Sequence, residues 1–347
     1  MGGSPYASSP ASTWERRVHI EAVWKSFHGD LGRVEEEIRH HLHSDAAIIP
    51  EVGAYLLEGG GKRVRPLLAL LSARLCGYER DSLYTLAAIV EYLHTASLLH
   101  DDVVDMAQLR RGHAAANSIW GNQVCVLVGD YFYAMALHLA VAEDSLEIME
   151  ILSAATAYMV KGELLQMAHT KDVKTNRDQY EGIITCKTAN LMAAACALPA
   201  VAAGVDEPLK EGLRAFGRHL GIAFQMVDDT LDYVAEEERL GKLVGKDLME
   251  GKVTLPLILL LQDANATDRA RVEEVILKDN LDTRDLQEVM LLLGRYGILD
   301  ACLEVANASG GFLGLTNKIS AEEREMIEKI AASFGDEAKD HVTRKLH

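Results

Sequence analysis

Apolar residues recur along most of this chain at three- and four-residue intervals, the spacing of one face of an α-helix. From about Trp14 the pattern predicts helices over Leu31 to His43, Leu67 to Leu75, Leu83 to Leu99, Val124 to Val141, Leu146 to Met167 and Tyr180 to Ala197. Helix-favouring residues fill these stretches. No run alternates apolar and polar positions with β-branched enrichment, so no strand is predicted. Turn-forming residues punctuate the helices at Gly59-Gly60-Gly61, Gly77, Gly121-Asn122, Lys171 to Arg177, Val205 to Pro208 and Gly241 to Gly251. No linker divides the chain. The expected architecture is one all-α domain over 14–347, a bundle of ten or more helices, preceded by a small polar segment over 1–13 expected to be disordered.

The apolar pattern is broken most sharply at HTASLLHDDVVDMAQLRRG, His94 to Gly112. Asp101, Asp102 and Asp105 form a DDxxD pattern between apolar neighbours. Residues four apart on a helix share a face, with a rise of about 6 Å between them, so Asp101 and Asp105 project side by side and Asp102 is displaced around the axis. Like charges in an apolar helix repel and are costly to bury unpaired. A divalent cation relieves that cost, and carboxylate oxygens suit Mg²⁺, which usually bridges to substrate phosphates. A lone DDxxD is as readily an acidic solvated turn. Here the pattern recurs far along the chain, in GIAFQMVDDTLDYV, as Asp228, Asp229 and Asp232. Two copies with apolar flanks suggest two acidic helix faces looking across a cavity, with metal ions and a diphosphate between them.

Composition narrows the classes. Over 347 residues, 35 basic residues against 52 acidic ones give a net charge of −17, which argues against nonspecific nucleic-acid or anionic-membrane binding. The longest weakly polar run, Ala189 to Val205, contains Asn190 and Pro199 and makes a poor membrane span, so no stable membrane insertion is expected. The first residues lack the basic and apolar regions of a signal peptide. The five cysteines form no CxxC and sit mostly in apolar stretches, as in a reducing compartment. A cytoplasmic protein is expected.

Several cations and polar residues stand out against this acidic background. GGGKRVRP, Gly59 to Pro66, places Lys62, Arg63 and Arg65 near a helix N-terminus, as a diphosphate clamp or as an ordinary basic turn. It is not a P-loop, since Lys62 is followed by Arg63 and not by Ser or Thr. Arg110 and Arg111 follow the first acidic motif and can neutralise phosphate or form salt bridges. His94 is seven residues before Asp101 and falls on the same helix face. Lys187 and Thr188 interrupt an apolar segment, where a lysine either snorkels outward or meets an anion. Gln225 shares a face with Asp228. Lys242, Lys246 and Lys252 lie in a Gly-rich loop after the second motif.

Together these residues resemble the trans-isoprenyl diphosphate synthase family. LLHDDVVDMAQLRRG is similar to its first aspartate-rich motif and FQMVDDTLDYV to its second. GGGKRVRP, the Lys187-Thr188 pair and the GK loop resemble its remaining signatures, in order. The resemblance implies an isoprenoid synthase fold, an all-α bundle around a central cavity, usually in a homodimer. It implies that Asp101, Asp105 and Asp228, helped by Asp102, Asp229 and Asp232, bind Mg²⁺ gripping an allylic diphosphate. Arg110, Lys187, Thr188, Gln225, Lys242 and Lys252 would hold that diphosphate, and Lys62, Arg65, His94 and Arg111 would hold isopentenyl diphosphate. The reaction implied is ionisation of the allylic substrate, attack by the isopentenyl double bond and loss of a proton to the released diphosphate.

Within the family, EYLHTASLLHDDVVD is most similar to synthases of long chains for quinones. Short-chain members tend to carry a bulky aromatic four or five residues before the first Asp, where this chain has Ser97 and Ala96. The expected product therefore runs from hexaprenyl to decaprenyl, with octaprenyl central. The competing readings are a farnesyl or geranylgeranyl diphosphate synthase, a terpene cyclase and a non-catalytic partner subunit. A cyclase would usually lack the second DDxxD, and a partner subunit both.

Overall fold

The structure, a computed structural model, describes residues 20–110, 112–234 and 245–310. The tail expected over 1–13, Arg111 and Lys242 lie outside these residues. α1 (Ile20–Ser26), α2 (His28–His41) and α3 (Ile48–Glu58) lead to α4 (Val64–Leu75) and the long α5 (Ser82–Val104). Leu86, Ile89, Val90, Leu93 and Leu99 of α5 are buried, as expected of a helix apolar on most sides. α5 packs along α7 (Asn122–Ala142) and against α2, α4 and α10 (Asn190–Ala203). Between α5 and α7 lie the short α6 (Ala116–Trp120) and, among the described residues, the one departure from all-helical structure. There β1 (Leu109–Arg110) pairs antiparallel with β2 (His113–Ala114). Two-residue strands are too short to show a period of two, so the apolar pattern does not reveal them. Gly112, at φ +80°, supplies the left-handed turn between them.

α8 (Leu146–Ala168) is followed by α9 (Arg177–Ile184), which runs through a single π-helical turn, Thr185–Ala189, into α10. Asn176 starts α9 with a capping box, its side chain accepting from Gln179 N at 3.0 Å. The π turn sits where two neighbouring helices carry glycine. A Cβ on Gly162 of α8 would stand 2.5 Å from Lys187 N, and one on Gly221 of α11 (Glu207–Leu231) 2.5 Å from Ala189 Cα. Both glycines let helix backbones approach where no side chain fits.

The core has two clusters. One joins α2, α4, α5, α7, α8 and α10 around Leu67, Ile89, Phe132, Leu152 and Leu198. The other joins α13 (Leu255–Asp263), α14 (Ala266–Leu277), α15 (Thr283–Arg295) and α16 (Ile298–Gly310) around Leu257, Val272, Val289 and Ile298; α12 (Lys246–Met249) precedes them. α11 serves both, with Leu213, Phe216 and Leu220 in the first and Met226 in the second. The α9-to-α10 rod and α7 are each long and apolar enough to cross a membrane by length and composition, but the rod is mostly buried within the fold.

Candidate active site

The cavity between these layers has a volume of about 1030 Å³, at the upper end for ligand pockets. α5 presents to it Glu91, His94, Ser97, Leu98, Asp101, Val104 and Asp105, the helical face that the spacing predicts. α11 presents Gln225, Asp228 and Asp232. Asp105 and Asp232 are the C-cap residues of their helices, so each motif spans the last turn and ends where the chain turns away. The two acidic faces thus share one cavity.

Not every motif acid opens onto it. Asp102 is wholly buried on the far side of α5, where its Oδ1 accepts from Arg110 Nε at 2.6 Å. It holds Arg110 beside the cavity instead of lining the cavity itself, which corrects its expected place among metal ligands. The reason is angular: one step along a helix turns a side chain about 100° away from its neighbour. Asp229 reaches the cavity wall but both its oxygens are engaged. Tyr180 Oη donates to Oδ2 at 2.6 Å, and Gln225 Nε2 donates to Oδ1 at 2.7 Å. Thr188 Oγ1 in turn donates to Gln225 Oε1 at 2.8 Å, tying the π turn to the second motif. Gln225 and Thr188 thus brace an acid as well as facing the cavity. Ala96, expected to help set product length, is fully buried and does not line the cavity, whereas Ser97 does.

The cations close the site from three directions. Lys187 lies on the π turn, where the extra residue of the wider turn brings it to the cavity. Its Nζ pairs with Glu163 and donates to Gln166 Oε1 at 2.8 Å, both on α8. Lys252 Nζ lies 2.6 Å from Glu250 Oε2 and 3.5 Å from Asp105 Oδ2, reaching the first motif from the loop after the second. That loop is pinned by Asp247 N, which donates to Asp232 Oδ2 at 2.9 Å. Lys62, Arg65 and His94 line the remaining wall. Arg63 borders the cavity beside them, but its guanidinium is engaged by other groups. At φ +46° it caps the start of α4, and its guanidinium donates to Glu91 Oε1 at 3.0 Å and to the Leu57 carbonyl at 3.0 Å.

Sequence reasoning missed Glu163, Gln166, Tyr180 and Asp247. Glu163 and Gln166 are polar residues three apart in the otherwise apolar GELLQMA of α8, a signal legible in the sequence. Tyr180 gives none, since a buried tyrosine is ordinary core.

Burial dominates the electrostatics. It pushes the Asp101 carboxyl up to about 6, with Lys187 opposing and Glu163 and Asp105 adding to the rise. It likewise raises Asp229 to about 7 against the hydrogen bonds from Tyr180 and Gln225. Asp247 is held well above the usual carboxylate range by burial and by Asp229 and Asp232. Lys252 is raised, because Glu250 and Asp105 outweigh its own desolvation. Burial makes each negative charge costly here, and a divalent cation beside these carboxyls would offset that cost. Asp101, Asp105, Asp228 and Asp232 offer only hard oxygen donors. Among the described residues no three or more His, Cys, Asp or Glu side chains form a group that would hold a metal ion by itself, so a cation here would need further ligands such as water or a substrate phosphate.

Comparison with known proteins agrees with this geometry. Residues 46–293 match the family model described as polyprenyl synthetase. The octaprenyl diphosphate synthase of Haemophilus influenzae is 41% identical over 289 residues, 83% of this chain and 88% of that one. The all-trans-nonaprenyl-diphosphate synthase (geranyl-diphosphate specific) of Rhodobacter capsulatus is 40% identical over 274 residues, 79% of this chain and 83% of that one. The crystal structure of a polyprenyl synthase from Caulobacter crescentus, complexed with calcium and isoprenyl diphosphate, superposes with a TM-score of 0.86 at 39% identity, covering 92% of this chain and 98% of that one. With two acidic helix ends sharing one cavity and a family match across the whole of that cavity, the chain belongs to the polyprenyl synthetase family and is a prenyltransferase of isoprenoid biosynthesis.

Proposed function

We propose that the protein is a Mg²⁺-dependent synthase of long-chain polyprenyl diphosphates, condensing isopentenyl diphosphate onto an allylic diphosphate to give hexaprenyl to decaprenyl products, octaprenyl being central. The observation that carries this reading is the facing of Asp101 and Asp105 with Asp228 and Asp232 across a single cavity lined elsewhere by Leu98, Val104, Met159 and Val160. The lining thus combines charged and apolar side chains, as a substrate with a diphosphate head and a hydrocarbon tail requires. Relatives named for octaprenyl and nonaprenyl products support the range of lengths. With Ala96 buried, the length argument from the first motif rests on Ser97 alone.

Asp101, Asp105, Asp228 and Asp232 would hold the metal, which when bound supplies positive charge against the departing diphosphate. Lys187, Lys252 and Arg110 hold the allylic diphosphate and stabilise the charge that develops on it, as preorganised cations do in a water-poor site. Lys62, Arg65 and His94 hold isopentenyl diphosphate with its double bond toward the allylic carbon. No side-chain nucleophile is required. Incubation with labelled isopentenyl diphosphate and farnesyl diphosphate, with and without Mg²⁺, tests this. Products of six to ten isoprene units that vanish on chelation are expected. Arrest at farnesyl or geranylgeranyl length would overturn the long-chain reading.

The same reading includes a homodimer in the cytoplasm. Its support is the number of exposed apolar side chains on α7 and α8, where Leu127 is 67% exposed, Val141 63%, Leu164 61% and Met167 55%.

A further inference from the structure

His100 precedes Asp101 on α5, yet its ring is held by α7. A Cβ on Gly129 would stand 2.7 Å from His100 Cδ2 and nearer still to Nε2, so the ring occupies a notch that only glycine leaves open. Nε2 lies 3.2 Å from the Val126 carbonyl oxygen and 3.5 Å from Asp130 Oδ1. The ring stacks on Tyr133, centroids 5.7 Å apart and planes 30° from parallel. Glycine in the middle of a helix costs about 0.5–1 kcal/mol relative to alanine, and here the notch gives it a packing role.

His100 and Tyr133 both line the cavity, together with Ser97, Met159 and Val160. Side chains on a helix lean toward its N-terminus, so residue 100 covers the turn that carries Ala96 and Ser97. Ala96, one turn from His100 on the same face, is itself fully buried.

We infer that His100 is a specificity-determining residue for product length. Seated in the Gly129 notch, the ring forms part of the wall that the growing hydrocarbon meets, beside Tyr133; displaced from the notch, it would stand further into that space and shorten it. This rests on the reading of the protein as a long-chain synthase.

The test is the product distribution from labelled isopentenyl diphosphate and farnesyl diphosphate, compared at equal total turnover. Gly129→Ala is expected to shorten the main product by at least one isoprene unit, because the methyl group drives the ring out. His100→Ala is expected to lengthen it by at least one unit. The double variant is expected to match His100→Ala, since no ring is left to displace. If the double variant keeps the shortening of Gly129→Ala, altered packing of α5 on α7 is the cause and the inference fails. It fails too if His100→Ala leaves the product unchanged, which decides the matter even where Gly129→Ala does not fold. A wild-type protein that makes no long product would overturn the long-chain reading, whereas a long wild-type product with unchanged variants overturns the role of His100 alone.

Discussion

Asp101 and Asp102 are adjacent, equally charged and differently employed. Asp101 faces the cavity, where burial holds its carboxyl near 6, while Asp102 turns inward to Arg110. The same division separates Asp228 from Asp229, whose oxygens are taken by Tyr180 and Gln225. A DDxxD pattern read from sequence thus gives the angular positions of its acids but not which of them an inward partner claims. The cavity acids and the basic wall should separate kinetically. Asp101→Ala is expected to lower kcat by roughly 10²–10³-fold or more, the scale of losing one preorganised electrostatic group, while leaving the fold intact. Arg65→Ala is expected to raise the KM for isopentenyl diphosphate selectively, because Arg65 stands with Lys62 at the start of α4, an element that carries neither acidic motif. Steady-state kinetics varying each substrate in turn check both. An equal rise in KM for both substrates would argue against a separate isopentenyl site.

At the scale of elements, the α9-to-α10 rod is the part that hydrophobic periodicity describes least well. The apolar run over Tyr180 to Ala197 reads as one ordinary helix, and a helix is what forms, but one turn of it is π-helical. The cause lies outside the segment, in the close approach of Gly162 and Gly221 from α8 and α11. Gly162→Ala would press its methyl group against the Lys187 backbone, 2.5 Å from N and 2.9 Å from Cα, where neither atom can rotate away. Overpacking of this kind costs about 1–3 kcal/mol. A fall in Tm of several degrees and a lower kcat through misplaced Lys187 are expected, measured by thermal unfolding and turnover. Gly182 of α9 has open space where its Cβ would be, so Gly182→Ala is the control, neutral or slightly stabilising. Loss of kcat in Gly182→Ala to the same degree would detach the effect from the π turn.

At the scale of the molecule, α11 carries both the second acidic motif and residues of both core clusters. Opening of the C-terminal cluster therefore bears directly on the acids at the end of α11. In the proposed homodimer a second copy covers the exposed apolar residues of α7 and α8. Light scattering at micromolar concentration is expected to give a dimer, and Leu127→Glu with Leu164→Glu a monomer of lower thermal stability. A wild-type monomer under those conditions would overturn the homodimer.

The sequence alone determined the helices, the two acidic motifs and the resemblance to a family, because each depends on periodicity or on short patterns within one segment. It also placed His94 with Asp101 and Gln225 with Asp228, pairs whose spacing along one helix fixes a common face. The tertiary structure decided what depends on partners from elsewhere in the chain: that Asp102 and Asp229 are engaged by Arg110 and Tyr180, that Lys187 meets Glu163, and that Arg63 braces a turn. It also set Ala96 behind the cavity wall. A helix repeat records the direction in which a side chain leaves its axis. Which atoms wait in that direction is settled only when α5, α7, α8 and α11 pack, and it is that packing which leaves one aspartate facing the cavity and makes its neighbour a brace.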